Sequence, residues 1–171
     1  EENYAKKIYE TFHFNEILSK IISIRKIELD QIENFINPTI KKNLPNPNSI
    51  KDMDIATNAT IFHIQNKNII GIFGDYDVDG ATSTAILAKY FKHINQPFEL
   101  LIPDRIKDGY GPTEKGFDLL IDKGSKLIIS ADCGTSSFDA ILHAKNKNVE
   151  TIVLDHHQGD IKLPEATAIV N

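Results

Sequence analysis

Apolar and polar positions follow two different rhythms along this chain. In its first third, Ile27, Ile32, Phe35 and Ile36 recur at roughly helical spacing, and Asn37-Pro38 closes the run. Residues 42–49 carry Pro45 and Pro47 and read as a loop. Asp52 or Asp54 is placed to cap a helix running toward His63. From residue 69 onward, short apolar runs alternate with helix-length segments. Residues 69–73, 98–102, 126–130, 150–154 and 168–170 predict strands, and 81–93, 113–122 and 137–147 predict helices. Apolar strands alternating with helices are the pattern of parallel strands buried on both faces. With right-handed crossovers they give an α/β fold, an open, doubly wound and mainly parallel sheet. The expected organisation is a helical N-terminal lead-in over 1–67 and an α/β domain over 68–171.

Composition narrows this only slightly. The 171 residues, 41% of them apolar, suffice for a real core. A net charge of −5 argues against a protein that coats nucleic acid by bulk charge, though not against an enzyme whose carboxylates gather metals. There is no run of about 18 apolar residues, so no membrane partner is expected. The single cysteine, Cys133, excludes an internal disulfide and fits a reducing, cytoplasmic setting. The polar first residues do not resemble a signal peptide. The missing initiator Met and the stop at Ala168-Ile169-Val170-Asn171 read as part of a longer chain.

The chemistry gathers where such a sheet binds ligands, at the carboxyl ends of the strands. Gly74-Asp75-Tyr76-Asp77-Val78-Asp79-Gly80 follows the first strand, and Pro103-Asp104-Arg105 the second. Ala131-Asp132-Cys133-Gly134 follows the third, and Asp155-His156-His157 the fourth. Carboxylates and imidazoles thus converge on one rim. Such carboxylates repel one another unless cations are present. Hard divalent ions such as Mg²⁺ and Mn²⁺ take oxygen ligands and imidazole shifts preference toward transition metals, so a mixed Asp/His set suits Mn²⁺ particularly well. Two such ions about 3.5–4 Å apart support in-line phosphoryl displacement. The Asp75-x-Asp77-x-Asp79-Gly80 spacing mimics a calcium loop, but the twelfth position is Ile86 rather than Glu and a strand precedes it. The start of the next helix, from Gly80 to Ser83, offers N–H groups to a phosphate. Arg105 can add positive charge, and Tyr110 between Gly109 and Gly111 can stack on a base or pack on the domain. Arg105 can equally pair with Asp104 or Asp108. Cys133, beside Asp132, reads as a small buried residue rather than an oxidation sensor, and His13, His63, His93 and His143 read as structural or surface histidines.

Asp155-His156-His157 matches the signature of the DHH phosphoesterases, and the residue 74–85 block, Gly-Asp-Tyr-Asp-Val-Asp-Gly-Ala-Thr-Ser-Thr-Ala, closely resembles the first motif of their RecJ-like exonuclease branch. Phe35-Ile-Asn-Pro-Thr, Leu44-Pro-Asn-Pro and Lys51-Asp-Met-Asp-Ile-Ala resemble that branch's lead-in. Ile102-Pro-Asp-Arg-Ile-Lys-Asp-Gly-Tyr-Gly-Pro resembles its second block. The resemblance covers the chain from about residue 30 to the end. It implies metal-dependent hydrolysis of single-stranded DNA, 5′ to 3′, in repair and recombination, with two Mn²⁺ or Mg²⁺ ions. It implies that Asp75, Asp77, Asp132 and His156 bind metal, with Asp132 shared between the ions. His157 then contacts the scissile phosphate and Asp155 orients the pair, while Asp79 holds the turn or tunes the site. The implied partners are single-stranded DNA, repair or replication proteins, and a C-terminal DHH-associated domain that carries a further metal-binding Asp. The alternatives are a phosphoesterase of this family acting on short oligonucleotides or nucleotide phosphates, and a non-catalytic scaffold.

Overall fold

The computed structural model describes residues 2–171. They form two compact units, one ending at Pro45 and one spanning Asn46–Asn171.

The first unit is helical. It contains α1 (Glu2–Phe12), α2 (Glu16–Ile24), α3 (Ile32–Ile36) and α4 (Ile40–Asn43). The Asn15 side chain accepts the Leu18 N–H at 2.8 Å and so starts α2. Ile8, Ile22 and Ile32 are fully buried, with Leu18, Ile27 and Leu29 packed around them. The Tyr4 hydroxyl donates to the Ile27 carbonyl at 2.6 Å, which fixes the turn after α2. The 27–36 run is helical only over α3, and the 42–49 segment includes the end of α4 and a 3₁₀ turn over Pro47–Ser49.

The second unit carries α5 (Met53–Gln65), β1 (Ile69–Gly74), α6 (Val78–His93), β2 (Phe98–Leu101), α7 (Glu114–Ile121), β3 (Ser125–Ala131), α8 (Phe138–Asn146), β4 (Glu150–Leu154) and β5 (Ala168–Val170). The strands form one sheet in the order β2-β1-β3-β4-β5, every neighbouring pair parallel. Alternate side chains of each strand enter different cores. Ile70, Ile72, Leu127, Ile129, Ile152 and Val170 pack with Ala56 of α5 and Phe91 of α6. Phe73, Ile128, Val153 and Ile169 pack with Phe117 and Leu120 of α7 and Ile141 of α8. Helices therefore cover both faces, as the apolar runs of the central strands require. Each fully buried Ile, Leu or Phe contributes roughly 1.5–3 kcal/mol. Phe73 and Phe117 meet edge to face at 5.6 Å, which ties the end of β1 to α7.

Two details depart from the sequence reading. The units divide at Pro45, so α5, assigned to the lead-in over 1–67, belongs to the unit of the sheet and packs on it. Asp52 occupies the cap position of α5 in a left-handed conformation (φ 58°), and its side chain makes no cap bond. Its Oδ2 instead accepts the Ile169 N–H of β5 at 3.3 Å. No helix among the described residues is long and apolar enough to cross a membrane.

The chain leaves β1 toward β2 and then returns past it to β3, so the connections diverge between β1 and β3. Ligands of open α/β sheets bind at the carboxyl ends of the strands beside such a divergence.

Candidate metal centre

The loop after β1 places its acids by short-range bonding. Asp75 is 2% exposed, and its Oδ1 accepts the neighbouring Tyr76 N–H at 2.7 Å. Its backbone N–H donates to the Ala131 carbonyl of β3 at 3.3 Å. Asp77 caps α6, its Oδ1 accepting the Gly80 N–H at 2.9 Å. Helix α6 therefore begins at Val78, which corrects the start expected over Gly80–Ser83. The Gly80 N–H is already taken, and Ser83 lies half-buried in the second turn. Gly80 is required by closeness, because a Cβ there would come within 2.4 Å of the Asp75 carbonyl oxygen. Asp79 is exposed in the first turn of α6.

Asp132 follows β3 and turns inward. Its N–H donates to the Leu154 carbonyl of β4 at 2.8 Å, and its backbone is left-handed (φ 64°), a conformation that Asp tolerates better than most residues. The residue is 6% exposed, and its Oδ1 lies 3.0 Å from His156 Nε2. Its Oδ2 is buried with no hydrogen-bond partner. Burial first, and then the Asp77 charge, push the Asp132 carboxyl above its ordinary range, against the pull of His156 and His157. Asp77 is lowered, chiefly by the Gly80 N–H.

These side chains form two overlapping groups. Ligand atoms of Asp75, Asp77 and Asp132 lie within 4.8 Å of one another, and so do those of Asp132, His156 and His157. Asp132 belongs to both. A buried carboxylate oxygen without a partner, beside further carboxylates, is what a divalent cation would satisfy. The oxygen-rich donor set with imidazole at one end fits Mn²⁺ or Mg²⁺. Asp79 stands outside both groups.

Asp155 does different work. Its Oδ2 accepts the N–H of Thr135 at 3.0 Å and the Thr135 hydroxyl at 2.6 Å. Its Oδ1 accepts the N–H of His156 at 2.7 Å and lies 2.7 Å from His157 Nδ1. Burial alone would raise this carboxyl, but the bonds from Thr135 and His157 outweigh it and hold the group well below the usual carboxylate range. The same bond raises the His157 imidazole above its ordinary value.

The loop between β2 and α7 closes one side. Asp104 Oδ1 accepts the N–H groups of Ile106 and Lys107, both at 3.0 Å, and Asp108 Oδ1 pairs with Lys115 at 3.6 Å. Gly109 (φ 80°) and Gly111 (φ 75°) supply the left-handed backbone on either side of Tyr110. Arg105 does not take the acids beside it, but stacks 5.3 Å above the Tyr76 ring. Tyr76 meets Tyr110 edge-on at 6.4 Å, and Tyr110 meets His157 at 5.9 Å. A ladder Arg105–Tyr76–Tyr110–His157 thus leads into the centre. Burial, followed by the Asp155 and Asp75 charges, pushes the Tyr110 hydroxyl up to about 12, so it stays protonated. An open groove of about 600 Å³ continues beyond His157, between Tyr110 and Thr113 on one side and Ser136 and Ser137 on the other. Cys133 is fully buried, and burial pushes its thiol up to about 12, so it remains an inert packing residue.

The structure thus brings Asp75, Asp77, Asp132, Asp155, His156, His157, Arg105 and Tyr110 together. Sequence reasoning missed Tyr76, Thr135 and Asn171. The first sits between two singled-out acids. The contacts of the other two join strand ends that no local pattern connects.

Residues 69–171 match the DHH family, N-terminal domain. The chain is 29% identical over 171 residues to the single-stranded-DNA-specific exonuclease RecJ of Bacillus subtilis, an alignment covering 100% of this chain and 22% of that protein. It is 37% identical over 131 residues to the RecJ of Haemophilus influenzae, covering 76% of this chain and 23% of that protein. A crystal structure of exonuclease RecJ bound to manganese superposes with a TM-score of 0.67 at 27% identity, over 74% of this chain and 32% of that one. The chain spans less than a quarter of the length of these two curated relatives.

Proposed function

Because the chain belongs to the DHH family, we propose that it carries the metal-binding part of an exonuclease that hydrolyses phosphodiesters of single-stranded DNA from the 5′ end, in repair and recombination. The observation that carries this reading is the sharing of buried Asp132 between two ligand groups, one of carboxylates and one ending in imidazole. The likeness to RecJ, an exonuclease whose solved structure binds manganese, supports it.

In this reading Asp75, Asp77, Asp132 and His156 hold two divalent cations. When bound, such cations acidify water and offset the charge that builds on phosphate oxygens. The chain's own groups do the rest. Asp155 orients the adjacent histidine pair, and its bond to His157 Nδ1 leaves Nε2 as the ring atom that meets the scissile phosphate. Tyr110 offers a base-stacking face, with Arg105 behind Tyr76 adding positive charge. Asp79 tunes the turn, and Ser83 lies on the helix flanking the phosphate path. The groove past Tyr110 is large enough for a nucleoside. A C-terminal DHH-associated domain closes the cleft and completes the ligand set.

The test is digestion of end-labelled single-stranded DNA with Mn²⁺, using the protein as its gene encodes it and its His156→Ala variant. Digestion that disappears in the variant is expected. An intact strand despite bound Mn²⁺, together with cleavage of dinucleotides or nucleotide phosphates, would replace the exonuclease by a small-substrate phosphoesterase. Inertness toward all of these would leave a scaffold.

A further inference from the structure

The bonds around the Asp155 carboxylate have only one consistent direction. The His157 carbonyl oxygen can only accept, so the Asn171 atom 2.9 Å from it is the amide nitrogen Nδ2. That nitrogen also lies 3.0 Å from Thr135 Oγ1, which must therefore accept. A hydroxyl has a single proton. With Asn171 donating to its oxygen, Thr135 directs that proton to Asp155 Oδ2, 2.6 Å away. Asp155 Oδ1 already accepts the N–H groups of His156 at 2.7 Å and His157 at 3.1 Å. With only donors around it, the carboxylate accepts throughout, so the hydrogen between Oδ1 and His157 Nδ1, 2.7 Å apart, belongs to the ring. Nε2 is then the ring atom through which His157 can give or take a proton.

We propose that Thr135 and Asn171 are positioning residues for His157. Asn171 commits the Thr135 proton to Asp155, and Asp155 so held fixes the imidazole with Nδ1 protonated and Nε2 turned to the phosphate. The proposal deepens the reading of His157 as the phosphate-contacting residue and rests on it, but the proton's place on the ring can be observed without substrate or metal. Neither residue is offered as touching the reacting atoms. Thr135, at 2% exposure, follows β3, and Asn171 follows β5, so the network joins the ends of β3, β4 and β5.

The experiment is ¹⁵N NMR of histidine-labelled, metal-free protein at a pH where neutral imidazole dominates. The chain has six histidines, and the His157 signals are identified by their loss in a His157→Gln variant. Wild type and Thr135→Ser are expected to show a protonated Nδ1 and a bare Nε2. In Asn171→Asp the new carboxylate competes for the Thr135 proton. In Thr135→Val there is no proton to give. Both are expected to move His157 toward the Nε2-protonated form that free histidine prefers. An unchanged His157 in Asn171→Asp overturns the proposal, and that exposed position keeps the test readable if the buried Thr135→Val change unfolds the domain. In Mn²⁺-dependent digestion, Asn171→Asp should lower kcat about 10-fold with little change in KM, while Thr135→Ser stays near wild type. A tautomer shift in a protein that digests nothing would sink the exonuclease reading and leave the positioning network standing.

Discussion

His156 Nε2 lies 3.0 Å from Asp132 Oδ1, so the end of β4 reaches across to the carboxylate that follows β3. In the absence of a cation this contact offsets only part of the charge that Asp132 shares with Asp77. Asp132→Asn keeps the side-chain volume and tolerates the left-handed backbone. It should raise the metal-free melting temperature by a few degrees, roughly 1 kcal/mol. Mn²⁺ at 100 times the wild-type Kd stabilises a single-site protein by about 2.7 kcal/mol, and the variant should lose that stabilisation. Calorimetry with and without Mn²⁺ measures both effects. An undiminished metal-induced shift would remove Asp132 from the centre.

Asp155 makes a pH prediction whose sign follows from its lowered pKa. A carboxyl that is harder to protonate when folded stabilises the fold above its unfolded value near ~4, and that contribution disappears as pH falls through the folded value. Asp155→Asn should therefore be less stable than wild type at neutral pH. Urea titrations should show the two converging as the pH drops below about 4. Parallel curves across that window would contradict the assignment.

Gly80→Ala tests the closeness of the β1 loop to α6. The added Cβ would meet backbone atoms of Asp75 at 2.4–2.6 Å, so either the helix or the ligand loop must shift. A loss of roughly 1–3 kcal/mol in chemical denaturation is expected, with weakened Mn²⁺ binding. By contrast, Gly109 has open space around it, so substitution there should act only through its positive φ and leave metal binding intact.

Tyr110 separates stacking from hydrogen bonding. Its hydroxyl is 3.5 Å from His157 Nε2, too long for a strong bond, whereas its ring lies edge-on to both Tyr76 and His157. Tyr110→Phe should leave KM for single-stranded DNA nearly unchanged. Tyr110→Ala should raise it by about 10-fold or more, the effect of losing one base stack. Equal effects of both changes would make the hydroxyl, not the ring, the contact.

The strands were readable as short, mainly apolar runs, of which β1, β3 and β5 are almost wholly buried while the edge strand β2 carries Glu99, and the acids and histidines were readable because they follow those runs directly. Helix starts were less so. The expected first turn of α6 lay too late because Asp77, rather than a later residue, takes the cap. Asp52 has the composition of a cap, yet its positive φ turns the side chain to β5. Tyr76, Thr135 and Asn171 escaped notice because their roles depend on which strand ends become neighbours and which way each bond points. Neither is encoded in local spacing.

The parallel ladder has a consequence for the order in which the protein assembles. Gly74 stands opposite Ala131, and Ala131 opposite Leu154, so the Asp75, Asp132 and His156 donors meet only when three strands far apart in sequence have found their register. Contacts of such long range form late and slow the folding of parallel sheets. A cation therefore has nothing to grip in the early chain and cannot act as a nucleus. It should act as a latch, leaving the refolding rate nearly constant while slowing the unfolding rate in proportion to its occupancy, the behaviour of interactions absent from the transition state.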